Sequence, residues 1–202
     1  MGVLKYPDMQ SKELVMTIGL PFSGKSTLAK EYAARGYSVI SRDALLEKII
    51  KSDGFSQAVN SRIAELFATE SPAELWQIKN QVALEMLTAE VNQLVITGNE
   101  QKFFYDGTNI QRVSRAGVLA LREQGVKITG IVLPVPIEEL LRRAETIYKT
   151  GERDGNFNEE GFAGLIRMLE LAEEPQRAEG FDELVIREWK PEGERGELRG
   201  VK

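Results

Sequence analysis

The chain has 202 residues, 42% apolar and 28% charged, a balance that suits one α/β domain with a full core. It holds neither cysteine nor histidine, which excludes disulfides, thiol nucleophiles, cysteine-based zinc sites and histidine-dependent triads. Acid–base work is left to Asp, Glu, Lys or Tyr, and a net charge of −5 argues against a broad basic surface that coats nucleic acid.

No apolar run is long enough to span a bilayer. The first residues, MGVLKYPDMQSKE, lack the apolar core of a signal peptide, so a cytoplasmic protein without a membrane partner is expected. Oligomeric state is left open.

A continuous apolar run, ELVMTIGL (13–20), reads as a buried strand. It enters GLPFSGKS (19–26), which fits the phosphate-loop pattern G-x-x-x-x-G-K-[ST], and a helix closed by Gly36 follows. Gly19 and Gly24 permit backbone conformations and close approaches that a Cβ would oppose. The N–H groups of Pro21–Thr27 other than the proline's, through Phe22 and Ser23, then converge on phosphate oxygens at a helix N-terminus. Lys25 supplies charge for the β- and γ-phosphates, and the Ser26 hydroxyl is placed to ligate Mg²⁺. The ligand expected is a nucleoside triphosphate.

The second strand, YSVIS (37–41), runs into the helix RDALLEKIIKS (42–52). Asp43 therefore stands at a carboxyl edge, where open α/β sheets bind ligands, beside the phosphate loop if the two strands are neighbours. A carboxylate there can orient a hydroxyl and accept its proton as it attacks phosphorus. It can equally cap the helix 44–51, an ordinary task for Asp.

From 57 to 97 the chain reads as helical, broken at Ser71-Pro72, with apolar Leu75, Ile78, Val82, Met86 and Ala89 at helical spacing. Trp76 is a ring on which a base can stack, but its neighbours assign it to the core. The third strand, KFFYDG (102–107), ends in Asp106, a residue able to hold a Mg²⁺ water or to position Asp43 or Lys25. Thr108 and Asn109 either contact substrate or serve as turn residues. Arg112 and Arg115, at i and i+3 on the helix 111–125, share a face and can meet one ligand.

A fourth strand (127–135) and helix (136–149) follow, then the polar interval TGERDGNFNEEG (150–161), another helix, and a last strand (182–189). The tail 189–202 is charged, Gly-rich and expected to be loose. Strands alternating with helices imply one domain over 1–188 with a mostly parallel sheet covered on both faces.

GLPFSGKST, SRD after strand two, DGTN with following arginines, and EEPQRAEGFDELVI (173–186) together resemble the kinase domain of polynucleotide 5′-hydroxyl kinases and their P-loop relatives, over about residues 14–188. The resemblance implies a three-layer α/β/α P-loop NTPase fold, with 57–97 as a helical insertion and 150–161 as a lid. It implies transfer of the γ-phosphate of ATP, with Mg²⁺, to an alcohol, with Asp43 as general base and Arg42, Thr108, Asn109 and Arg112 near the acceptor. It also implies a lid arginine on the transferred phosphate, for which Arg153 is best placed, with Arg143 and Lys149 behind it. The phage-type enzymes carry an arginine shortly after the aspartate. Here Ala44, Leu45, Leu46 and Glu47 follow, so that contact to a nucleic-acid backbone is not carried over. The expected acceptor is a hydroxyl of nucleic acid, at a 5′ end or on a modified base. A small-metabolite or sugar hydroxyl is the alternative, and a nucleotide-dependent switch or ATPase ranks last.

Overall fold

The computed structural model describes residues 12–66, 71–151, 158–190 and 198–200. Six strands form one sheet in the order β2-β3-β1-β4-β5-β6: β1 Glu13–Ile18, β2 Ser38–Ser41, β3 Lys102–Asp106, β4 Lys127–Val132, β5 Glu183–Arg187 and β6 Leu198–Gly200. The first five are parallel, and β6 runs antiparallel on the edge of β5. Residues 198–200 of the tail thus belong to the sheet rather than to a loose extension, because the edge of β5 offers them unpaired backbone groups.

The central strand β1 is buried on both faces, as a parallel strand between helical layers must be. The pleat sends Leu14, Met16 and Ile18 into the larger core and Val15 into the smaller one. In β3 the same alternation sends Phe103 and Tyr105 one way and Phe104 the other. Helix α1 (Lys25–Ala34) covers the second face with Leu28, Ala29 and Tyr32, while α2 (Arg42–Ile50), α3 (Asp53–Leu66), α4 (Pro72–Thr97) and α5 (Arg112–Leu119) cover the first. This is the three-layer α/β/α arrangement of the P-loop NTPase fold.

The insertion between β2 and β3 comprises α3 and α4, and α4 packs on α3 and α2. Ser71 caps α4 by accepting the Glu74 amide at 3.2 Å, and Pro72 occupies the first turn, where its missing N–H costs nothing. The buried stripe is Ile78, Val82, Ala83, Leu87, Val91 and Val95, each full burial worth roughly 1.5–3 kcal/mol for the larger side chains. Ala89 is exposed, because a 3.6-residue turn carries the stripe through Leu87 to Val91. At the far end Lys12 donates to the Val95, Ile96 and Gly98 carbonyls at 2.7–2.8 Å, closing the negative end of the helix.

Helices α6 (Ile137–Lys149) and α7 (Glu159–Glu170) flank the lid interval. Leu140 and Leu165 bury against Leu20 from the loop after β1, which ties both helices to the phosphate loop.

Candidate functional site

At the end of β1 the Leu133 amide still reaches the Ile18 carbonyl at 2.9 Å, and the chain then leaves the sheet. The Gly19 amide donates to the Thr108 carbonyl at 2.9 Å, pinning the start of the phosphate loop to the turn after β3. A Cβ on Gly19 would stand 2.8 Å from Ser23 Oγ and 3.2 Å from Leu133 Cβ, so the position requires glycine. Gly24, with φ of 94°, turns the chain into α1. Phe22 adopts φ of 67°, a left-handed conformation that costs a side-chain-bearing residue about 1–2 kcal/mol. Lys25 Nζ donates to the Leu20 carbonyl at 2.7 Å, folding back across the loop. The buried Ser23 hydroxyl has no hydrogen-bond partner among the described residues.

Asp106 ends β3 beside this loop and lines the same cleft as Lys25 and Ser26. Burial raises its pKa; the nearby Ser26 hydroxyl and the Lys25 charge pull the other way, and the Asp43 carboxylate adds to the rise. Burial likewise pushes the Tyr105 phenol up to about 12, with Asp43 again contributing to the rise.

Strand β3 lies between β1 and β2, so β2 does not neighbour the strand of the phosphate loop. Ser41 pairs with Asp106, and Asp43 lies just past that pair. Two strand spacings, roughly 10 Å, separate the β1 and β2 edges, room for a phosphoryl group and a hydroxyl between them. The cap of α2 is Ser41, whose Oγ accepts the Ala44 amide at 3.3 Å. Asp43 is therefore not the capping residue. Its side chain is 85% exposed, with Arg42 Nη1 3.6 Å from Oδ1.

Pro21 through Thr27, Arg42, Asp43, Asp106 and Thr108 all line one open cleft of about 1210 Å³. Most of the sequence-predicted nucleotide, metal and acceptor residues are thus gathered in one place; Gly19, which acts through its backbone at the start of the loop, and Asn109, Arg112 and Arg115 do not line it. Asn109 is 1% exposed and adopts φ of 46°. Its Nδ2 donates to the Thr17 carbonyl at 2.9 Å, so it braces β1 and has no face toward the cleft. Arg115 is fully buried, donating to both Glu179 carboxylate oxygens at 2.7 and 2.8 Å and to the Asn109 carbonyl at 3.1 Å. Arg112 lies outside the cleft, on an adjoining shallow surface with Val113 and Leu171, and its backbone amide donates to Glu173. The two arginines therefore do not share a ligand. Burying Arg115 in its ion pair turns that face of α5 inward and leaves Arg112 outside the cleft.

Arg153 lies outside the described residues. The basic wall that the structure does describe is on α6, where Glu139 accepts from Arg142 Nε at 2.7 Å and from Arg143 Nε at 2.6 Å. The Arg142 hydrogen bond foremost lowers the Glu139 pKa to about 2. Arg143 also donates to the Phe22 carbonyl at 3.2 Å, holding the strained residue of the phosphate loop. Lys149 points elsewhere, to Glu145 on the exposed face of α6. Arg142, Arg143 and Thr146 line the cleft, and the i, i+3/i+4 spacing from Glu139 is the signal in the sequence that locates this cluster.

Trp76 is 59% exposed and lines the cleft rather than the core. Ile78, two residues on and about 200° around the helix, takes the buried position instead. The Arg167 guanidinium of α7 sits 5.7 Å from the Trp76 ring centroid.

A glycine-bounded loop, its lysine and serine, and an acidic residue at the next strand's end define a P-loop NTPase site. A family model described as AAA domain matches residues 14–172, and the chain belongs to that family. It is similar to a shikimate kinase of Clostridium botulinum, 28% identical over 169 residues, which are 79% of this chain and 84% of that protein. Among solved structures it is similar to a gluconokinase from Sinorhizobium meliloti 1021, 18% identical, covering 88% of this chain and 82% of that one at a TM-score of 0.48. It is also similar to a chain of the Pnkp1/Rnl/Hen1 complex, 23% identical, covering 69% of this chain and 42% of that one at a TM-score of 0.43. Among the described residues no helix is long and apolar enough to cross a membrane.

Proposed function

We propose that the protein is an ATP-dependent kinase that phosphorylates a hydroxyl group of a small metabolite or sugar. The observation that carries this reading is the freedom of Asp43, exposed in the same cleft as Lys25, Ser26 and Asp106 rather than engaged as a helix cap.

The phosphate loop fits a triphosphate tail by its donors: loop amides, the α1 N-terminus, the Lys25 ammonium and the buried Ser23 hydroxyl. On nucleotide binding Lys25 exchanges the Leu20 carbonyl for phosphate oxygens. Ser26 and Asp106, which line the cleft together, are the residues that would hold Mg²⁺, whose charge offsets that of the β- and γ-phosphates when it is bound. The acceptor hydroxyl oxygen forms a bond to the γ-phosphorus while the bond to the β,γ-bridging oxygen breaks and ADP departs. Asp43 orients that hydroxyl and accepts its proton. Arg142 and Arg143 stand on the wall beside the phosphate loop, where positive charge opposes the negative charge spreading over the transferring oxygens.

Two observations favour a small acceptor over nucleic acid. The arginine that the phage-type polynucleotide kinases carry shortly after the aspartate is absent, Ala44, Leu45, Leu46 and Glu47 standing there, and Arg112 and Arg115 do not line the cleft to replace it. The 28% identity to a shikimate kinase, spanning 84% of that protein, points the same way. The test is transfer from γ-labelled ATP to hydroxylated metabolites and sugars, against 5′-hydroxyl oligonucleotides and hydroxymethylated DNA. Label in small molecules is expected; label confined to oligonucleotides returns the acceptor to nucleic acid, and label only in free phosphate makes the protein an ATPase.

A further inference from the structure

Among the described residues the cleft carries six cations, Lys25, Arg42, Arg142, Arg143, Arg167 and Arg187, against the two carboxylates Asp43 and Asp106, in a chain whose net charge is −5. Most of these cations already have an assignment. Lys25 belongs to the phosphate loop, Arg142 and Arg143 are gathered by Glu139, and Arg187 meets the Glu31 carboxylate at 3.2 Å. Arg42 stands beside Asp43. Arg167 is different: among the described residues no carboxylate pairs with its guanidinium, which stands over the face of Trp76.

That contact joins two walls of the cleft that come from distant parts of the chain. Trp76 belongs to the helical insertion, and Arg167 belongs to the helix that follows the lid interval. The indole is 59% exposed, and Met168 and Leu171, also lining the cleft, are 40% and 47% exposed. A half-open aromatic face with a guanidinium above it is a weak stabilising device at an exposed site. It is a good receptor for a ring that presents an apolar face to the indole and an anionic group to the guanidinium.

We propose that Trp76 and Arg167 form the acceptor subsite, and that the acceptor is a cyclic hydroxylated anion bearing a carboxylate or phosphate. The proposal rests on the kinase reading of the cleft. The ring lies on the Trp76 face, the anionic group takes Arg167 away from the indole, and the acceptor hydroxyl is presented to Asp43. Arg42, beside Asp43, adds a second positive charge on that side. A neutral acceptor leaves Arg167 without a counter-charge and binds more weakly.

The experiment separates the small-molecule fraction of a cell extract on an anion exchanger and offers retained and unretained pools to the protein with γ-labelled ATP. Label is expected in the retained, anionic pool. Phosphatase treatment of that pool beforehand distinguishes the sources: carboxylate acceptors survive it and phosphate esters do not. With the pooled acceptor, Arg167→Ala is expected to raise the acceptor KM roughly 10- to 100-fold while kcat and the ATP KM stay within about 3-fold. Arg167→Lys is expected to recover part of the loss, and Trp76→Phe to raise the acceptor KM less than Trp76→Ala does, a pattern that a packing defect alone would not give. Label in the unretained, neutral pool, or an Arg167→Ala variant with unchanged acceptor KM, overturns this proposal while leaving the kinase reading intact. Label in neither pool, with free phosphate as the product, overturns the kinase reading and this proposal with it.

Discussion

Ser41 Oγ accepts the Ala44 amide at 3.3 Å, and this one bond decides what Asp43 is free to do. The first turn of α2 has its cap, so the neighbouring carboxylate, 85% exposed, owes nothing to helix stability beyond a favourable place near the helix N-terminus. Ser41→Ala should cost about 1 kcal/mol, a fall in Tm of roughly 2–4 °C for a domain of this size. Asp43→Asn should shift Tm by less than about 1 °C. Thermal unfolding of the two variants side by side checks the division of labour; a larger loss for Asp43→Asn would return Asp43 to a structural role.

Arg115 and Glu179 bury an ion pair at 0% and 4% side-chain exposure. Arg115→Met alone should destabilise by roughly 3–5 kcal/mol, because Glu179 is left charged and unpaired, while Arg115→Met with Glu179→Leu should recover most of that loss. Burial pushes the Glu179 pKa up, but the Arg115 and Gln176 bonds outweigh it and the net shift is downward from 4.5. The folded carboxyl thus binds protons less readily than the unfolded one, so its contribution is full above pH 4.5 and fades as acid protonates the folded form. Urea midpoints at pH 7 and pH 3.5 should therefore move less in the double variant than in the parent.

Glu139 gives a second acid-sensitive contact, this one on the wall of the cleft. Its pKa is lowered from 4.5 to about 2, foremost by the Arg142 hydrogen bond, so the pairing it makes with Arg142 and Arg143 persists above pH 4.5 and is lost between there and about pH 2. Glu139→Gln should therefore differ from the parent in stability at pH 7 and converge on it as pH approaches 2. A difference that stays constant down the pH series would contradict the assignment.

Asn109 combines a left-handed backbone with a buried bond to the Thr17 carbonyl at 2.9 Å. Asn109→Ala loses both and should cost roughly 2–4 kcal/mol. Asn109→Gly keeps the backbone freedom and loses only the bond, so it should be the more stable of the two. Chemical denaturation of both variants makes the comparison. Equal stabilities would mean that the φ of 46° carries no cost at this site.

The phosphate loop was legible because its chemistry is contiguous: glycines, lysine and serine within GLPFSGKS, between an apolar run and a helix. Asp43 and Asp106 were legible as carboxylates at strand ends, although the order of β1, β3 and β2, which sets the gap between the phosphate loop and Asp43, depends on long-range pairing. The fate of Arg115 was hidden, since its partner Glu179 lies 64 residues away and helical spacing alone shows only which face it shares. Trp76 was misassigned by its apolar neighbours, although i and i+2 point to opposite sides of a helix. The edge strand β6 gave no sign, because a three-residue strand in a charged tail has no periodicity to read.

The central claim concerns one proton. Single-turnover transfer from γ-labelled ATP by Asp43→Asn, measured beside equilibrium ATP binding, tests it most directly. The account predicts a fall in transfer of about 10²- to 10⁴-fold with ATP affinity within about 3-fold of the parent. Transfer at the parent rate would contradict it, leaving the cleft as a nucleotide site in which that carboxylate takes no part in the chemistry.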